Sequence, residues 1–148
     1  MSQSGFDIGM DDAGQAGVFE VEASDLPALA AAARDAGLLV RRIDLDGCCD
    51  KQSLLLRIGT VLDVPSGQGR NWDALMDALR DFEWLPAPGY ALLFEAVGGL
   101  QASRPHELET LLGILQEASQ WWAANGVPFW AFLAVEGAAQ PSSSVQRM

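Results

Sequence analysis

Phe129-Trp130-Ala131-Phe132-Leu133-Ala134-Val135 has no polar side chain anywhere along it. A strand turns successive side chains to opposite faces, so a run like this one belongs in a sheet covered on both sides. The stretch before it, about Ser103 to Ala124, has helical spacing. Leu108, Leu111, Leu112, Leu115, Ala118 and Trp122 share one side of that predicted helix, and Asn125-Gly126 stops it. Further upstream Pro86, Pro88 and Gly89 break the chain, and Tyr90–Phe94 reads as another strand. Strands separated by helices need crossover connections, which makes the sheet mostly parallel and the fold class α/β.

The alternation continues toward the N-terminus. Leu54, Leu55, Ile58, Val61 and Leu62 recur at helical spacing, with Pro65 just past the end. Leu39–Leu45 is a predicted strand that turns at Gly47. Ser24 is placed to cap a helix presenting Leu26, Leu29, Ala30 and Ala33, with Gly37 as its stop, and Val18–Glu22 reads as a first strand. Residues 1–16 and 137–148 are rich in Gly, Ser, Gln, Ala or Asp and bury too little to offset the entropy of ordering, so both are expected to be flexible tails. Between them, 17–136 has the length of a single domain.

Composition excludes several classes of function. Twenty acidic against nine basic side chains give a formal charge of −11, a surface that repels nucleic-acid phosphate and anionic membranes. Hydrophobic residues make up 49% of the chain, enough for a real core, yet no apolar run is long enough to span a bilayer. Met1-Ser2-Gln3-Ser4 lacks the basic and apolar regions of a signal peptide. The two cysteines, Cys48 and Cys49, are adjacent and poorly placed to staple a fold, which points to a reducing cytoplasm.

Catalytic signatures are missing. The single histidine, His106, follows Pro105 in the opening turn of a helix, and no nucleophile motif accompanies it. The cysteines lack zinc-ligand spacing, and no cofactor motif is present. Gly67-Gln68-Gly69 precedes a helix but lacks the Lys-Ser/Thr of a phosphate loop, and Asp73 in the first turn repels an anion. That helix carries the informative pattern. Asn71 is its expected N-cap; Trp72, Leu75, Met76 and Leu79 form its core stripe; Asp73, Asp77 and Asp81 recur every four residues on the other side. Like charges at this spacing weaken an isolated helix by roughly 0.2–0.5 kcal/mol per pair. A solvated face, a protein-binding face and a weak divalent-metal site are the three readings of such a stripe.

The segment Gly69-Arg70-Asn71-Trp72-Asp73-Ala74-Leu75-Met76-Asp77-Ala78-Leu79 resembles the signature of the barstar family, intracellular inhibitors of barnase-type ribonucleases. The resemblance runs over about residues 38–135 and treats Val18–Gly37 as an added strand and helix. It implies a small parallel sheet flanked by helices, no catalysis, no cofactor or metal, and a monomer that acts as an immunity protein or antitoxin. Its implied partner is a basic extracellular-type ribonuclease or ribonuclease toxin. The alternative is a related interaction module whose basic partner is not a ribonuclease. Matched residue by residue, Asp73 and Asp77 fall on the signature aspartates, Asn71 on the asparagine and Gly69 on the glycine opening the helix. Gly67 and Gln68 stand where the family prototype has aromatic residues, and Met76 stands where it has tryptophan. Glu117 is the candidate for an acidic contact from the long helix, and Asp81 extends the acidic stripe. The partner-binding set is therefore Gly67, Gln68, Gly69, Asn71, Asp73, Met76, Asp77, Asp81 and Glu117.

Overall fold

In a computed structural model of the chain, Val18–Val21 (β1), Leu39–Asp44 (β2), Tyr90–Glu95 (β3) and Phe129–Ala134 (β4) form one parallel sheet in the order β1-β4-β3-β2. The structure describes residues 10–48, 50–64, 71–82 and 85–134. The helices are Leu26–Asp35 (α1), Lys51–Val61 (α2), Trp72–Leu79 (α3), Gly98–Ser103 (α4) and Pro105–Ala124 (α5).

The two central strands explain the apolar runs. Tyr90, Leu92, Phe94, Phe129, Ala131 and Leu133 face a large core shared with α2, α3, α4 and α5. Ala91, Leu93, Trp130, Phe132 and Ala134 face a second core closed by Leu26, Leu29, Ala30 and Ala33 of α1. All six residues of β4 are buried, as expected for a strand covered on both faces. Gly37 and Gly126 terminate α1 and α5 with φ of +85° and +76°, conformations that glycine adopts without a steric penalty. Before β3, Gly89 is required for space: a Cβ there would lie 2.5 Å from Leu38 Cδ2 and 2.7 Å from Pro128 Cγ.

Four sequence expectations need correction. The long helix predicted from Ser103 starts instead at Pro105, with the separate short α4 before it. Pro105 is the cause, because proline drives the preceding residue out of the helical region, and Arg104 has φ −140° and ψ 63°. A single 3₁₀ turn, Ala23–Asp25, occupies the place where Ser24 was expected to cap α1, and Asp25 becomes the N-cap.

The tail drawn at residues 1–16 is not free at its inner end. Met10 is buried in the second core, and its carbonyl accepts a 2.8 Å hydrogen bond from Trp130 Nε1. A fully buried indole N–H needs an acceptor, and this segment supplies it. The other tail, 137–148, lies outside the described residues. Finally, Asp81 is not on α3. The chain leaves the helix at Arg80 because Phe82 adopts φ +50° and turns its ring into the large core, 4.6 Å from Tyr90.

Candidate protein-binding site

Asn71 begins α3 as its sequence position predicts: its Oδ1 accepts from the Ala74 N–H at 2.8 Å. This satisfies one of the donors that every helix start leaves unpaired. The helix buries Leu75, Ala78 and Leu79 and turns Asp73 and Asp77 to solvent. Asp73 lies in the first turn, where the positive end of the helix dipole favours a carboxylate. Asp77 has a local cation, Arg80, with Nη2 3.1 Å from Asp77 Oδ1. The Asp77 side chain is 78% exposed. A pair this open is worth no more than about 0.5 kcal/mol, so a better-placed cation on a partner can displace Arg80.

Two tryptophans fasten α3 to α5. Trp72 Nε1 donates to Glu107 Oε1 at 3.3 Å, tying the first turns of the two helices together. Trp122 Nε1 donates to the Leu79 carbonyl at 2.7 Å, holding the other end of α3. The acceptor is a C-terminal carbonyl that the helix itself cannot pair. Trp72, read from sequence as a core residue, is therefore only half buried, because its indole spans from the core edge to a carboxylate. Met76 is also half buried and packs against the large core.

The remaining expected site residues are dispersed. Asp81 is exposed in the turn after α3, and Glu117 is exposed on α5. Gly67, Gln68 and Gly69 lie outside the described residues. Spacing gave no sign of Glu107, since it lies 35 positions from the residue it contacts and only the fold brings α5 beside α3. Its place in the first turn of α5, two residues after Pro105, was the one local hint that a carboxylate suits that position.

His106 is exposed on the first turn of α5. The Cys48 side chain points toward the Ser53 carbonyl, 3.7 Å from Sγ, and burial pushes its thiol pKa up, away from a reactive thiolate. Cys49 lies outside the described residues. Among the described residues no three His, Cys, Asp or Glu side chains gather closely enough to hold a metal ion. No helix there is long and apolar enough to cross a membrane.

A search of curated proteins returned no match. The family model described as Barstar (barnase inhibitor) matches residues 38–134, from the residue before β2 to the end of β4, and leaves β1 and α1 outside. With the parallel sheet, the capped acidic helix and more than half of the sequence accounted for by one family pattern, the chain belongs to the Barstar (barnase inhibitor) family.

Proposed function

We propose that this protein is an inhibitor or immunity protein that blocks the active site of a basic ribonuclease with α3 and the residues preceding it. The observation that carries the reading is the presentation of Asp73 and Asp77, one turn apart and exposed, on a helix capped by Asn71 and held to α5 at both ends. A ribonuclease site binds phosphate with arginine, lysine and histidine donors. Carboxylates at comparable spacing accept the same charge-assisted hydrogen bonds. The inhibitor thus occupies the place of substrate without offering a bond to cleave.

Rigidity matters as much as charge. A helix already held in its bound geometry loses little entropy on docking, so more of the interaction energy appears as affinity. The formal charge of −11 draws a basic partner in and speeds encounter. In this reading Gly67, Gln68 and Gly69 belong to the contact set, Met76 packs at the interface, and Asp81 and Glu117 add outlying acidic contacts. The protein performs no catalysis of its own, and it acts in the cytoplasm, where it protects the cell's RNA.

Titrating the purified protein into a barnase-type ribonuclease while following RNA cleavage tests the proposal. Cleavage should fall to zero near equimolar protein, and association should slow as salt rises, because screening shortens the reach of steering. Undiminished cleavage at large excess overturns the reading.

A further inference from the structure

Trp121 leaves a large part of its ring open to solvent. It is 41% exposed, while its neighbour Trp122 turns inward to bond Leu79. The two indoles meet edge to face at 4.9 Å and 87°, so Trp122 braces Trp121 from one side. The backbone beneath is also fixed, since Asn125 Nδ2 donates to the Trp121 carbonyl at 2.8 Å.

The position on α5 gives this exposure a direction. Glu107, Ile114 and Trp121 are seven residues apart, two helical turns each, and so fall along one line of the helix. The line begins at the carboxylate that holds Trp72 of α3 and passes through Ile114, which is buried. It ends at Trp121, next to the residue that bonds the last turn of α3. Glu117 lies one turn before Trp121 and is exposed. Long side chains on a helix lean toward its N-terminus, which carries the Trp121 indole over the turn bearing Glu117. Trp121 thus leaves part of an aromatic ring open to solvent, next to the residue that fastens the last turn of α3 and one turn from a carboxylate.

We propose that Trp121 is an aromatic anchor of the α3 face, its indole receiving an arginine or lysine side chain from the rim of a basic ribonuclease's phosphate site. The inference rests on the ribonuclease-inhibitor reading and extends it to a residue outside the acidic helix. The face of an indole attracts a cation through its quadrupole, and the attached aliphatic stem buries against the ring. Trp121 therefore adds an aromatic contact to the charged and apolar ones offered by α3.

The experiment measures binding of barnase to the wild-type protein and to Trp121→Ala, Trp121→Phe, Trp121→Arg, Asp77→Ala and Leu56→Ala. Leu56 on α2 is the control, because it is 71% exposed and belongs to a different helix. Trp121→Ala should weaken binding by about 10- to 30-fold, mainly through faster dissociation. Trp121→Phe should stay within about threefold of wild type, since a smaller ring face remains. Trp121→Arg places a like charge against the partner and should weaken binding more than Trp121→Ala does. It also keeps the test decisive should the alanine variant fold poorly. Leu56→Ala should bind as wild type. If Asp77→Ala abolishes tight binding while Trp121→Ala and Trp121→Arg match wild type, the anchor is wrong and the acidic-helix reading stands. If barnase does not bind, or if neither Asp77 nor Trp121 variants change its binding, the acidic-helix reading fails and the anchor falls with it.

Discussion

Removing residues 1–16 should destabilise the domain, whereas removing residues 1–9 should not. The difference between the two deletions is the described segment that begins at Met10. Its side chain is 4% exposed, packed in the core between the sheet and α1. Burying a methionine of this kind contributes about 1.5–3 kcal/mol. Its carbonyl is the acceptor for Trp130 Nε1 at 2.8 Å, and Trp130 has no exposed surface. A buried donor left without a partner costs about 1–3 kcal/mol more. Together these give about 2.5–6 kcal/mol, less whatever water recovers by reaching the indole from the opened side. For a domain of this size, that loss lowers Tm by roughly 5–25 °C. Thermal unfolding followed by circular dichroism and by tryptophan fluorescence reads both deletions directly. Met10→Ala separates the two contributions, because it removes the side chain and keeps the carbonyl. A Tm for the 1–16 deletion within about 2 °C of wild type refutes the reasoning, since one kcal/mol already moves a domain of this size by that much.

Three further outcomes follow from local geometry. Asn71→Ala should lower stability by about 0.5–2 kcal/mol in urea unfolding, because the Ala74 N–H loses its acceptor, and Asn71→Asp should recover most of that loss. Gly89→Ala should unfold at distinctly lower urea than wild type, since its new methyl group would overlap Leu38 and Pro128 and force the start of β3 to shift. The Asp50 carboxylate, which caps α2 by accepting from the Ser53 N–H, is held below the ordinary Asp range by that bond and by the Ser53 hydroxyl. A lowered folded-state pKa means its stabilisation is complete above the ordinary value of about 4 and fades as pH falls through the lowered one. The Tm gap between wild type and Asp50→Ala should therefore hold at neutral pH and narrow in acid.

The sheet was readable from sequence because its two central strands carry their signal internally. Residues 129–134 and 90–94 are apolar on both faces, and that pattern has one inexpensive structural solution. Asn71 was readable for a similar reason, since a cap acts within three residues of itself. The misreadings share a different origin. Asp81 has perfect helical spacing from Asp77, but the helix ends because Phe82, beyond it, gains more by joining Tyr90 and Phe129 than the helix gains by continuing. Met10 sits in a polar, glycine-rich stretch and is ordered by a tryptophan 120 positions away. The Trp72–Glu107 contact is likewise invisible until the fold sets α5 beside α3. Local patterns therefore identified the elements, and the contacts that fix their ends and fasten the site depend on partners distant in sequence.

The central claim is that Asp73 and Asp77 are the residues a basic ribonuclease binds. The most direct measurement is the Kd for a barnase-type ribonuclease of Asp73→Ala and Asp77→Ala beside Asp25→Ala, an acidic position before α1 on the far face of the sheet. Losing one partner of a desolvated charge pair typically costs about 2–5 kcal/mol, so each α3 variant should bind at least about 30-fold more weakly. Their unfolding midpoints should match wild type, since both side chains face solvent. Asp25→Ala should bind as wild type. Equal losses at Asp25 and Asp77 would instead mean that overall charge, and not the α3 face, governs binding, and the account would be contradicted.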